Sequence, residues 1–164
     1  MEIRPETAAD APAIAALTTA AFAGAPHASG TEAAIVAALR AAGALSLSLV
    51  AVEAGRIIGH VAFSPVRIDG RDRGWFGLGP ISVAPDRQGR GIGAALIREG
   101  LARLRDCGAG GCVLLGDPGY YTRFGFVADP GLRLPEVPPH YFLRLVLAGP
   151  PPVGSVAYHP GFYP

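Results

Sequence analysis

The chain has 164 residues, half of them apolar and 16% charged, which is enough for one folded domain with its own core and excludes a disordered chain. A formal net charge of +1 removes the electrostatic case for nucleic acid or an anionic membrane surface as partner. Two cysteines, Cys107 and Cys112, are too few for a disulfide framework and lack the His or Cys partners of a zinc site, so no bound metal is expected.

Ile3 and Arg4 read as a short first strand ended by Pro5, and Thr7 with Asp10 has capping-box spacing. From Ala8 to Phe22, the residues Ala11, Ile14, Ala15, Leu17, Thr18 and Phe22 recur at helical spacing. Gly24, Pro26 and Gly30 mark a loop. A second helix runs from about Thr31 to Ala42, with Ile35, Val36 and Leu39 on one face and Gly43 past its end. Ser46–Val52 and Ile57–Ser64 form a hairpin around Glu53-Ala54-Gly55-Arg56. Asp69-Gly70 turns the chain into a strand over Gly74–Val83, where Pro80 cannot donate to a ladder and predicts a bulge or an edge near Gly79. Gly91–Arg105 is a helix with Ile92, Leu96, Leu101 and Leu104 on one side, and Gly108, Gly110 and Gly111 follow it. Cys112–Leu115 reads as a buried strand. Pro118–Phe124 reads as a short helix capped by Asp117, and Tyr141–Leu147 as a late strand. Residues 149–164 form a tail rich in Pro and aromatics, for which a dimer contact and a lid over a pocket are the two readings. Met1–Glu6 carries two acids and no leader-like apolar core, and no apolar run approaches the ~20 residues of a membrane span, so a cytoplasmic protein is expected.

Val83-Ala84-Pro85-Asp86-Arg87-Gln88-Gly89-Arg90-Gly91-Ile92-Gly93-Ala94 runs from a strand through a glycine-rich turn into a helix. Backbone N–H groups at a helix start carry partial positive charge and lack intrahelical acceptors, and glycines let a phosphate approach them, so a pyrophosphate is the natural ligand. Gly89-x-Gly91-x-x-Ala94 also fits a dinucleotide fingerprint, although Ala84–Gln88 separate it from the strand and no long βαβ series follows. A glycine turn that binds nothing is the third reading.

The pattern Gln88-x-x-Gly91-x-Gly93, after Val83-x-Pro85 and before Leu96, resembles the acetyl-CoA motif of the GNAT superfamily of N-acetyltransferases. Downstream, Tyr120-Tyr121-Thr122-Arg123-Phe124-Gly125-Phe126 resembles that family's Tyr-x-x-x-Gly-Phe segment. The longer run from Gly116 through Phe126, with Leu78-Gly79-Pro80 and Tyr141-Phe142-Leu143, is similar to a bacterial subfamily of N-acetyltransferases. The resemblance spans nearly the whole chain and implies a single GNAT domain over residues 1–164. Its fold would be α/β (α+β), with a mixed, mostly antiparallel, splayed sheet and helices on both faces.

The resemblance also implies acetyl-CoA as co-substrate without a metal. Amides of Gln88, Gly89, Arg90, Gly91, Ile92, Gly93 and Ala94 would hold the pyrophosphate. The backbone of Ile81, Ser82 and Val83 would pair with pantetheine, one N–H polarising the thioester carbonyl as an oxyanion donor. Tyr121, four residues before Gly125, would protonate the departing thiolate as an amine attacks directly in a ternary complex. Half-buried packing is the competing reading of Tyr121 and the favoured one for Tyr120. Where many members carry Asn after the fifth strand, this chain has Gly116-Asp117-Pro118.

No residue declares itself as general base. Asp117 is the nearest acid but reads first as a helix cap. Glu32, His27, His140 and His159 read as surface residues and His60 as a core histidine, and neither cysteine is placed to be a nucleophile. The missing base keeps a second function open, a non-catalytic acyl-CoA-sensing module. The acceptor, a small-molecule or peptide amine, would meet loops Gly24–Thr31 and Leu132–His140, whose apolar, Pro-rich character argues against polycations. A homodimer is the one protein–protein contact contemplated.

Overall fold

Two periodicities, 2 for strands and 3.6 for helices, place most of the elements, and short turns join them. The computed structural model describes residues 1–164, which divide into two compact units. The first contains residues 1–63, 79–101 and 160–164, and the second residues 64–78 and 102–159. In the first lie β1 (Glu2–Pro5), α1 (Ala11–Phe22), α2 (Glu32–Ala41) and β2 (Leu47–Glu53). Three elements contribute to both: β3 (Arg56–Ile68), β4 (Arg71–Val83) and α3 (Ile92–Asp106). The second adds β5 (Gly111–Leu115), α4 (Pro118–Tyr121), β6 (Val127–Ala128), β7 (Leu132–Arg133), β8 (Phe142–Val146) and β9 (Gly154–Ala157). The strand order is β1-β2-β3-β4-β5-β8-β6, with β9 on β3 and β7 on β9. The sheet is mixed and mostly antiparallel, the parallel pairs being β4–β5 and β7–β9. No helix is long and apolar enough to cross a membrane.

In the first unit, β2 and β3 pair as Val50↔His60 and Ala51↔Gly59, so Val50 and Gly59 face opposite sides of the sheet. Ile14 of α1 and Val36 of α2 bury against Val50. On the other side, a Cβ at Gly59 would come within 2.9 Å of Ile92 and Leu96 on α3. Helices therefore cover both faces, as expected. The first helix begins at Ala11 rather than Ala8, because Asp10 closes a separate 3-10 turn over Ala8–Asp10. The Asp10 carboxylate accepts from the Thr7 N–H at 2.7 Å, the Thr7 hydroxyl at 3.1 Å and the Arg4 guanidinium at 2.7 Å. Ala15, expected on the buried face, is exposed.

In the second unit the β4–β5 ladder runs Trp75↔Gly111, Phe76↔Cys112, Gly77↔Val113 and stops there, while β5 continues to Leu115 against β8. The expected interruption at Gly79-Pro80 is a cis peptide just past the last β4–β5 pair, so β4 is unpaired on its β5 side there, a local edge as expected. Pro80 stands beyond the last β5 partner, where that neighbour requires no donor. Leu115, read as buried, is 47% exposed.

The tail corrects the sequence reading most. Residues 154–157 are β9, paired with Arg67 and Ile68 of β3 and with β7. The Asp69 N–H donates to the Ser155 carbonyl at 2.8 Å, and the Ser155 N–H donates to the Asp69 carboxylate at 2.9 Å. Phe162, in a closing 3-10 turn, packs on Ile35, Leu39 and Ala44. The tail thus contributes to both core and sheet.

Candidate active site

The cofactor-motif residues fall together in the first unit. β4 ends at Ile81-Ser82-Val83, a 3-10 turn spans Pro85–Arg87, and α3 starts at Ile92 after the exposed Gln88-Gly89-Arg90-Gly91. Gly89 and Gly91 hold φ of +75° and +79°, conformations open to glycine at little cost, and no atom lies within 4 Å of where a Cβ would stand on either. The turn is therefore open at the backbone. Helical bonding begins with the Ala95 N–H donating to the Gly91 carbonyl at 3.0 Å, so the preceding first-turn amides of Ile92, Gly93 and Ala94 have no acceptor within the helix. A Cβ on Gly93 would make only ordinary contact with Val83 and Ile81, at 3.7 and 3.8 Å.

The turn is tied down at its base. Gln88 Nε2 donates to the Val83 carbonyl at 3.1 Å, so this side chain, expected only to contribute its amide, braces the turn onto β4. The Ala84 N–H donates to the Ile58 carbonyl at 2.9 Å. Arg87 reaches Glu53 at 3.1 Å and Asp86 at 2.8 Å, and Arg56 grips Asp86 through two 3.0 Å contacts. These solvent-screened ion pairs add little stability and act mainly to set the turn's register on the hairpin. Sequence reading took Glu53 and Arg56 as a bare turn. Their signal was the opposite charges of Asp86-Arg87, but only the tertiary pairing of β3 with the β4 end makes them neighbours.

Behind Val50 lies a buried polar cluster. The Ser48 hydroxyl donates to Glu6 and sits 2.8 Å from His60 Nε2, while Arg40 grips Glu6 at 2.8 and 3.1 Å. His60 is fully buried, as read from the sequence, and burial depresses its pKa to about 4 despite the Glu6 charge. Burial alone would raise Glu6, but hydrogen bonds from Arg40 and Ser48 bring it below the usual carboxylate value. His60 Nδ1 and the Ser82 hydroxyl are buried without partners.

Tyr121 belongs to the second unit. Asp117 caps α4 as expected, its carboxylate accepting from the Gly119 N–H at 2.9 Å. The Tyr121 ring stands edge-on to Phe126 and Tyr120, at centroid distances of 6.2 and 4.9 Å, and directly over Gly116. A Cβ at Gly116 would lie 2.4 Å from the ring, which is why glycine occupies the position after the strand. Burial, then the neighbouring Tyr120, raises the Tyr121 pKa, so the phenol keeps its proton at neutral pH. Tyr120 instead carries the Arg123 guanidinium 4.2 Å above its ring.

The other candidates have structural roles or open positions. Glu32 accepts from the Ser29 N–H, the Ser29 hydroxyl and the Gly30 N–H, pinning the loop before α2. Cys112 is fully buried, and burial pushes its thiol far above the usual range, away from thiolate chemistry; Cys107 is exposed. The His140 ring meets Tyr141 at a 45° tilt, with centroids 4.1 Å apart, and lines a cavity in the second unit.

Comparison with known proteins agrees with this geometry. Residues 2–128 match the family model of the acetyltransferase (GNAT) domain. The chain is 44% identical over 127 residues to the uncharacterized N-acetyltransferase YhbS of Escherichia coli K12, covering 77% of this chain and 73% of that protein. Among solved structures, a GNAT family acetyltransferase from Brucella melitensis in complex with acetyl-CoA superposes with a TM-score of 0.89 at 54% identity, over 98% of this chain and 97% of that one. Escherichia coli YhbS in complex with CoA gives 0.89 at 39% identity, over 98% and 91%. The chain belongs to the GNAT family of acetyltransferases.

Proposed function

We propose that residues 1–164 act as one N-acetyltransferase domain that moves the acetyl group of acetyl-CoA to an amine by direct attack, without metal or covalent enzyme intermediate. The observation that carries this reading is the open glycine turn in front of α3, where Gly89 and Gly91 leave the backbone bare and the first-turn amides unspent. The cofactor supplies a thioester, whose carbonyl is activated toward an amine and whose thiolate can leave. The amides from Gln88 to Ala94 hold the pyrophosphate. The backbone of Ile81, Ser82 and Val83 aligns the pantetheine arm, and one of its N–H groups stabilises the oxyanion. Tyr121 gives its proton to the departing sulfur. Its raised pKa keeps that proton in place until it is needed. The proton lost by the attacking amine passes to solvent water, from which the Tyr121 phenolate is reprotonated.

The reading is tested by calorimetry of acetyl-CoA on the wild type and on Gly91→Trp, with dephospho-CoA and NAD as comparison ligands. A bulky side chain at Gly91 occupies the space a phosphate needs. Micromolar acetyl-CoA binding that vanishes in a folded Gly91→Trp is the expected result. No binding to the wild type, or binding of NAD instead, overturns it.

A further inference from the structure

The second unit contains a cavity of about 580 Å³, within the range that holds small organic ligands. Pro130, Leu132, Leu134, Val137, His140 and Phe142 are among the residues lining it. Leu132 and Phe142 are 3% exposed and belong to the core cluster with Val66 and Val156, so the floor is fixed. Pro130, Pro135 and Pro139 restrict the backbone of the wall. The one carboxylate in the lining, Asp129, is already spent: it accepts from Arg144 at 3.0 Å and from the Gly131 N–H at 2.8 Å. Arg133 adds positive charge to the same wall. Nothing there rewards a polycation, whereas apolar surface is offered on several sides.

The cavity sits at the end of the β5–β8 ladder that also positions Tyr121. Phe142 pairs with Leu115, the Gly116 N–H donates to the Tyr141 carbonyl at 2.9 Å, and Gly116 lies under the Tyr121 ring. Resting on the acetyl-transfer reading above, we propose that this cavity receives the apolar body of the acceptor, and that the acceptor is a small monoamine carrying an aromatic or branched aliphatic group.

The test has a binding arm and a transfer arm. In the binding arm, calorimetry with CoA present measures 2-phenylethylamine, methylamine and spermidine on the wild type, Val137→Asp and Val137→Phe. Val137 is half-buried on a loop, so both variants should fold, and retained acetyl-CoA affinity together with an unchanged melting profile checks that they do. The expected result is that 2-phenylethylamine binds at least ~10-fold more tightly than methylamine or spermidine, and that each Val137 variant loses most of that advantage. In the transfer arm, kcat/KM should follow the same order. Equal binding of the three amines, or an advantage untouched by both variants, overturns the proposal. Selective binding without transfer to any amine would leave the cavity assignment standing and remove the catalytic reading. Transfer without apolar preference would do the reverse.

Discussion

Replacing Gly116 by Ala tests the role of Tyr121 through its support rather than its hydroxyl. The new Cβ would stand 2.4 and 2.8 Å from two ring carbons of Tyr121, where ordinary contact begins at 3.4 Å. The strand end cannot retreat easily, because the Gly116 N–H is held by the Tyr141 carbonyl and Asp117 caps the following helix. The ring must therefore move by about 1 Å, a displacement that can cost on the order of 10²-fold in a reaction needing aligned groups. Overpacking adds about 1–3 kcal/mol of destabilisation. Steady-state kinetics with a competent amine should show kcat reduced and acetyl-CoA affinity, read by calorimetry, unchanged. Tyr121→Phe keeps the ring and removes the proton, and should lower kcat by roughly 10²–10⁴ with little loss of stability. The alkaline limb of the wild-type kcat profile should lie above pH 10, the phenol's ordinary value, because burial raises its pKa. Full kcat in Tyr121→Phe would refute the proton-donor role. Full kcat in Gly116→Ala, with a loss in Tyr121→Phe, would refute the claim that Gly116 positions the ring.

Gly100→Ala should destabilise the protein although it improves helix propensity: the new Cβ would lie 2.4 Å from the Phe63 ring, so overpacking of about 1–3 kcal/mol outweighs a propensity gain near 1 kcal/mol. A higher urea midpoint in the variant would show that Phe63 yields freely. His60 makes stability depend on pH below neutrality. Its folded pKa of about 4 lies below the 6.5 of the unfolded chain, so the unfolded state takes up the proton first, and stability present above pH 6.5 is lost as pH falls toward 4. Linkage gives about 2 kcal/mol between pH 7.5 and 5. Urea midpoints should fall across that window in the wild type and fall less in His60→Gln; equal slopes in the two proteins would assign the dependence to other groups.

The glycine turn and the apolar, Pro-rich loop Leu132–His140 were both legible in the sequence, but the cavity that this loop helps to wall was not, for a physical reason. Exposing backbone amides to a pyrophosphate demands glycine at fixed spacing beside a helix start, so Gly89, Gly91 and Gly93 carry the signal for such a turn in their order along the chain. Strong periodicity likewise places α2, α3 and β2 within a residue or two, and the start of β3, although β3 runs four residues past the expected end at Ser64. The cavity is built differently. Its walls come from short strands and loops between residues 128 and 142, with Ser155 added from β9. A strand of two residues has no period to read, and β9 is docked by Asp69, which lies 86 positions from Ser155. Asp69-Gly70 was visible as a turn, but that its carboxylate would hold the tail follows only once β3 and β9 pair. The same holds for Gly116, whose place after β5 looked like a departure from the family pattern until the Tyr121 ring was found above it. A chain of this family can thus show its glycine turn through local order, while the 580 Å³ cavity between residues 128 and 155 is assembled only by long-range pairing.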